Sequence, residues 1–278
     1  MKNKYSEWKF NKKILNTEDY KLNNNIIKKS SKRGFNEICK RYTHIPYKNL
    51  EKMVKLDAQI YKQFKGTGVD LGGGIGLFSS IIAKKKEVMK IFCVEIVKNA
   101  VSICHPIVKK KVLKKDYNKV HSVVGDYNKL NLKNNSIDFC IAFDSMHHST
   151  DVVKTLKEAR RVLKKNGKII IFDRGHNNET TDQEINRMLN VIYPKKFLKE
   201  NQLPIKKILT RKMNGEHEYR FFEWEYFFRK SKLKVIKKLI IKESNLKNIK
   251  NKQGIIEKKV AFKLGGFERK KIVYILQK

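Results

Sequence analysis

Val69-Asp70-Leu71-Gly72-Gly73-Gly74-Ile75-Gly76-Leu77-Phe78-Ser79 is the most informative stretch of this 278-residue chain. An apolar, strand-like run ends in a glycine-rich turn that passes straight into a helix-like run. Glycines there let the backbone adopt conformations closed to other residues and come close to a ligand. The start of the helix then offers free N–H groups and a partial positive charge to a polar or anionic group. The spacing disfavours two common nucleotide sites. Dinucleotide binding asks for G-x-G-x-x-G, but counting from Gly72 and Gly74 the last position is Leu77, and the glycines run G-x-G-x-G through Gly76 instead. The phosphate loop G-x-x-x-x-G-K-S/T is absent as well.

Downstream, apolar runs alternate with helical ones. Ile91–Glu95, His121–Gly125, Ile137–Phe143 and Lys168–Asp173 join Gly68–Leu71 as predicted strands, with helices over Leu77–Lys86 and Val152–Lys164 between them. Such alternation implies an α/β fold with a parallel sheet covered on both faces. Asn166-Gly167 is a stop and turn signal before the fifth strand.

Several of these strands end in chemistry. Glu95 closes the second, where a carboxylate beside the glycine turn can accept both ribose hydroxyls of an adenosine. Asp126 and Tyr127 follow the third strand, and Asp144-Ser145-Met146-His147-His148 follows the fourth. Ligands of open parallel sheets gather at the carboxyl ends of the strands, at the switch point. Acids and glycines are therefore expected around one crevice.

Gly72–Ser79, Glu95, Gly125-Asp126, Asp144–His148 and the run from Glu158 to Ile171 resemble, in order, the motifs of class I S-adenosylmethionine-dependent methyltransferases. The closest likeness is to the small-molecule branch with ubiquinone/menaquinone-type and sugar methyltransferases, and it covers roughly residues 66–175. It implies a Rossmann-like, seven-stranded, mostly parallel sheet with helices on both faces. The sixth strand would lie near Leu233–Ile241 and an antiparallel last strand near Lys271–Leu276. It implies S-adenosylmethionine as cofactor, with Asp70, Gly72, Gly74 and Gly76 at its methionine portion and Glu95 at the ribose. Asp126 and Tyr127 would meet the adenine, and Asp144 the sulfonium end. The middle of the glycine turn, Gly73, and Asn166 before Gly167 are variations that the pattern tolerates.

The flanks are expected to shape the acceptor pocket. Residues 1–64 read as a helical cap, with an Asn/Lys-rich loop around Leu22 to Lys32 and then a helical stripe from Leu50 to Phe64. The methyltransferase domain would span 65–278, with 176–232 as a helical insertion over the active site. Thr181 and Glu184 form a capping-box signature there, and the aromatic run around Phe221, Trp224 and Phe228 is read as packing against the sheet. A hydroxyl acceptor benefits from a base, for which His147 and His148 are the candidates. Arg174, His176, Glu216 and His217 are candidate acceptor-binding residues.

Composition bounds the rest. Neither Met1–Lys13 nor any later segment carries the apolar run of a secretory leader or a membrane span, so a cytoplasmic protein is expected. Cys39, Cys93, Cys104 and Cys140 show no C-x-x-C spacing; reduced, buried thiols and no metal site are expected. The net charge of +37 comes mostly from Lys in a chain also rich in Asn and Ile, which A/T-rich codons produce without any acidic partner. Base methylation is disfavoured, because no Asn/Asp-Pro-Pro-Tyr/Phe signature follows the fourth strand and no Pro-Cys pair offers a nucleophile. The leading expectation is methyl transfer to O or N of a small polar molecule such as a sugar. RNA methylation, which the charge favours, and a non-catalytic partner subunit are the alternatives.

Overall fold

The structure, a computed structural model, describes residues 5–30, 34–43, 45–200, 208–250, 252, 255–256 and 267–278. Among these, eight strands form one sheet in the order β1-β4-β3-β2-β5-β6-β8-β7. They are β1 (Ser6–Glu7), β2 (Gly66–Leu71), β3 (Val88–Glu95), β4 (Val120–Val124), β5 (Ile137–Phe143), β6 (Leu163–Gly175), β7 (Lys234–Ile240) and β8 (Lys270–Gln277). The helices are α1 (Glu18–Ser30), α2 (Phe35–Thr43), α3 (Tyr47–Val54), α4 (Ala58–Tyr61), α5 (Leu77–Ala83), α6 (His105–Leu113), α7 (Val152–Val162), α8 (Asp182–Leu189), α9 (Lys195–Glu200) and α10 (Phe221–Lys230). Only β8 runs against its neighbours, antiparallel to both β6 and β7. The chain winds outward from β2 through β3 and β4, then crosses back to β5, so the switch point lies between β2 and β5.

Two-residue periodicity divides the core between the faces. On β5, Phe139 and Ile141 point to one face and Cys140 and Ala142 to the other. β8 does the same, with Val273 and Ile275 against Ile272, Tyr274 and Leu276. The first face is covered by α5, α6 and the N-terminal helices α2 to α4, the second by α7 and α10. All four cysteines are buried free thiols.

Trp224 is the largest fully buried side chain. Its indole Nε1 donates to the Arg174 carbonyl at 3.1 Å, and its ring packs with Phe228 and Tyr274. The aromatic run therefore packs on the sheet as expected, and α10 is the crossover helix into β7. That leaves residues 176–200 and 208–220, with α8 and α9, to lie beyond the strand ends. The Thr181–Glu184 capping box opens α8.

The N-terminal region departs from its expected form in three ways. First, it begins with a strand: β1 adds to the sheet edge beside β4, making eight strands where seven were expected. Trp8 lies over Gly125, where a Cβ would come within 3.3 Å of the Trp8 Cβ. Second, the Asn/Lys-rich stretch is helix α1 and not a loop, as far as the described residues reach. Its apolar positions are few but face protein: Leu22 packs with Tyr193, Leu198 and Leu209, and Ile27 joins the main core. Glu18 and Asp19 in its first turn suit the helix dipole. Third, the stripe from Leu50 to Phe64 is broken between α3 and α4. Asp57 is extended there, accepts from the Ile60 N–H at 3.0 Å and pairs with Lys237 of β7 at 2.6 Å.

Replacing Trp224 by Ala removes the centre of the second core. The expected loss is about 3–5 kcal/mol, read as a lower urea midpoint with an unchanged denaturant slope.

Candidate active site

The turn between β2 and α5 is shaped by close approach as much as by backbone freedom. Gly72, Gly74 and Gly76 have φ of 78°, 54° and 76°, a region costly for residues with a side chain. Gly73 is constrained differently: a Cβ there would lie 2.2 Å from the Cys93 sulfur. The N–H groups of Gly72 and Gly73 donate to the Val94 carbonyl at 3.0 and 2.9 Å. That of Gly74 donates to Glu95 Oε2 at 2.9 Å, and the Val97 N–H to Glu95 Oε1 at 2.8 Å. Burial raises the pKa of Glu95, against the pull of these bonds. On the far side, His105 Nε2 donates to the Gly74 carbonyl at 2.9 Å, and burial holds its pKa down to about 4.

Asp70 lies fully buried beneath the turn. Ser79 donates to its Oδ2 at 2.5 Å, while Oδ1 takes no hydrogen bond. Burial pushes its pKa up to about 7. Asp126 accepts from the backbone and side chain of Asn128 at 2.8 and 2.9 Å, which fixes the turn after β4. The Tyr127 ring comes back against Gly72, with its Cε1 3.4 Å from where a Cβ would stand.

The segment after β5 supplies the second half of the site. Asp144 sits at φ 50°, and Lys271 of β8 donates to it at 3.1 Å. Burial would raise the Asp144 pKa, but the charges of Lys271 and Arg174 outweigh it and hold the carboxyl well below its ordinary range. Ser145 donates to the Leu71 carbonyl at 2.7 Å, fastening this segment to the glycine turn. His147 is buried, and its Nδ1 lies 2.7 Å from Asp173 Oδ1 at the end of β6. The other Asp173 oxygen accepts from the N–H groups of Met146 and His147 at 3.1 and 3.3 Å. Burial and the Arg174 charge lower the His147 pKa. The carboxylate therefore takes the Nδ1 proton of a neutral imidazole, and Nε2 keeps a lone pair. That nitrogen faces Glu216 Oε2 at 4.0 Å. The neighbouring His148 ring packs against His147 at 4.3 Å between centroids, with its Nδ1 3.7 Å from Asp19 of α1.

The four expected acceptor-binding residues come to the same region but in different roles. Arg174 and Glu216 are ion-paired, and Arg211 also reaches Glu216 at 3.1 Å. His176 has both ring nitrogens engaged, by Glu218 at 2.7 Å and the Glu268 carbonyl at 2.9 Å. His217 Nδ1 donates to the His147 carbonyl at 2.9 Å. His176 is thus a strut of the Arg174–Arg211–Glu218 network, and His217 holds the His147 segment. Asp173, Lys271 and Asp19 were not singled out in the sequence. Asp173 ends the strand expected over Lys168–Asp173 as Glu95 ends that over Ile91–Glu95, and that rule points to it. Asp19 and Lys271 carry no comparable signal.

Residues 69–171 match the sequence family described as a methyltransferase domain. The chain therefore carries a methyltransferase domain and is an enzyme. Its cofactor is S-adenosylmethionine, and the residues present fit that molecule. Gly72, Gly74 and Gly76 hold the turn at positive φ, and the buried Asp70 Oδ1 beneath it takes no hydrogen bond. Solved structures share the methyltransferase's fold at low identity. The YcgJ protein of Bacillus subtilis is 17% identical over 83% of this chain and 97% of that one, with a TM-score of 0.52. The mitomycin 7-O-methyltransferase MmcR is 13% identical over 84% of this chain and 54% of that one (TM-score 0.51). The cyclase SpnF is 12% identical over 82% and 80% (TM-score 0.58). No curated protein sequence matches the methyltransferase. Among its described residues, no helix is long and apolar enough to cross a membrane.

The Asp70 pKa has a measurable consequence. Unfolded, Asp70 ionises near its ordinary 3.8; folded, it holds its proton to about 7. The fold therefore binds the extra proton between these values and loses stability as pH rises through them. Asp70→Asn should raise the melting temperature by an amount that grows from about pH 4 to pH 7 and is level above. A gain independent of pH would refute this reading of Asp70.

Proposed function

We propose that the enzyme methylates an oxygen or nitrogen of a small polar molecule held between the strand ends and a cover made by α1 and residues 176–200 and 208–220. The observation that carries this reading is the His147–Asp173 pair, which presents a lone pair of a neutral imidazole at the end of β5. A cleft beside it has apolar walls from Ile45, Met53 and Phe143 and a charged end from Asp144, Asp173 and Lys271.

S-adenosylmethionine supplies a methyl group already activated by its sulfonium charge, so the chain's task is alignment and proton handling. Asp70 and the turn glycines Gly72, Gly74 and Gly76 would hold the methionine portion. Glu95 would take the ribose hydroxyls with the lone pairs left by Gly74 and Val97. Asp126 and Tyr127 would border the adenine, and Asp144 the sulfonium end. Asp173 keeps the His147 Nδ1 protonated, so Nε2 is the atom through which the protein acts on the acceptor's proton. His148 and Glu216 complete the acceptor side, Arg174 positions Glu216, and His176 and His217 act through their neighbours.

The +37 charge favours a second reading, an RNA acceptor. Filter binding at several salt concentrations separates the two, since a true RNA binder loses affinity steeply as salt rises. A partner subunit without catalysis would fail to bind cofactor at all.

Two substitutions divide binding from chemistry. His147→Ala should lower turnover by about 10²–10⁴-fold, the scale of lost proton handling, with S-adenosylhomocysteine affinity unchanged in calorimetry. Glu95→Ala should do the reverse at the binding step, weakening both cofactor forms by about 1–3 kcal/mol. Equal loss of cofactor affinity in both variants would count against these assignments.

A further inference from the structure

The acceptor side of the crevice gathers more lone pairs than proton handling requires. One ring nitrogen each of His147 and His148 and a carboxylate oxygen of Glu216 lie within 4.8 Å of one another, and His147 Nε2 is 4.0 Å from Glu216 Oε2. Asp19 adds a carboxylate oxygen 3.7 Å from His148 Nδ1, a buried atom that takes no hydrogen bond. We propose that His147, His148, Glu216 and Asp19 form a site for one divalent transition-metal ion.

Three features support a cation here. His147 Nδ1 is committed to Asp173 at 2.7 Å, so Nε2 faces Glu216 Oε2 with two acceptors opposed at 4.0 Å. A carboxylate behind the distal nitrogen is the arrangement that fixes the tautomer and orientation of metal-ligating histidines. The four groups also arrive from three separate segments: α1, the residues after β5, and the connection between α9 and α10. Metal–ligand bonds of about 2.0–2.2 Å place neighbouring ligand atoms roughly 3–4 Å apart, so small side-chain movements close this set around an ion. Two imidazoles with two carboxylates suit zinc, cobalt or manganese better than magnesium or calcium, which prefer oxygen alone. Arg174 and Arg211 both donate to Glu216 Oε2 and hold that side chain in place; the lone pairs they leave are the ones offered to the ion.

Such a site refines the acceptor class. A cation at this point would select acceptors that present an oxygen to it, above all a hydroxyl flanked by a second oxygen; with His147 Nε2 bound to the ion, the ion would lower the hydroxyl's pKa and its proton would leave to solvent. This refinement rests on the crevice being the acceptor site; the metal site itself does not.

The test uses full-length, tag-free protein stripped with a chelator and titrated with cobalt(II), read by visible absorption and by metal analysis. One ion per chain is expected, with ligand-field bands of nitrogen and oxygen coordination. His148→Ala and Glu216→Gln should each weaken it at least tenfold, and Asp173→Asn by about 10–100-fold. His121→Gln, on β4 beside Ser6, should leave it unchanged. Retained S-adenosylhomocysteine binding shows that each variant is folded and keeps the cofactor reading separate. Absence of stoichiometric binding, or affinity unchanged in His148→Ala and Glu216→Gln, overturns the site. Turnover of a small-molecule acceptor that survives the chelator undiminished overturns the refinement of acceptor class.

Discussion

Glu95 stands at the end of β3 with both carboxylate oxygens tied to backbone, one to the Gly74 N–H and one to the Val97 N–H. With Gly72 and Gly73 bonded to the Val94 carbonyl, the whole glycine turn hangs from the end of the neighbouring strand. The position of α5, the burial of Asp70 and the seat of Ser145 on the Leu71 carbonyl all follow from that attachment. It explains why Gly73 cannot be exchanged as freely as a loop residue: the turn lies so close to β3 that Cys93 occupies the space of its side chain. The same carboxylate that shapes the turn is thereby placed beside whatever the turn holds.

The far half of the site is built on a different principle. Around His147 the charges are numerous and buried, and they are arranged so that each has an opposite within reach. Asp173 serves His147 and its backbone, Arg174 and Arg211 serve Glu216 and Glu218, and Lys271 serves Asp144. A buried network of this kind is costly when one member is lost, because the remaining charges stay behind without compensation. Its value lies in orientation. The imidazole is held by its own backbone, by Asp173 and by the His217 side chain on its carbonyl.

How much of this was legible in the sequence differs by region. From Gly66 to Gly175 each strand is an apolar run closed by turn residues, and the local signal agrees with the fold because both faces of the sheet are buried. The glycine turn and the acids Glu95, Asp126 and Asp144 could be read for the same reason. Helix α1 could not, since Leu22, Ile26 and Ile27 are its main apolar positions and the residues around them are mostly Asn and Lys. The break at Asp57 was hidden because a cap and an ion pair to Lys237 override a continuous apolar stripe. Arg174, His176, Glu216 and His217 were found as residues, but sequence spacing does not show that His176 is spent on Glu218 and a carbonyl. Expecting no metal site followed from cysteine spacing, which is silent about histidines and acids brought together from distant segments.

Helix α1 touches both halves of the cover. Asp19 at its first turn reaches His148, and Leu22 one turn later packs into the cluster of Tyr193, Leu198 and Leu209. Gly215 is a glycine where the connection before α10 passes Asp19, since a Cβ there would come within 3.2 Å of the Asp19 Cβ. Helix α1 therefore packs against described residues on both sides of α9, in 193–198 and 209–215, and joins them to the segment after β5 through His148.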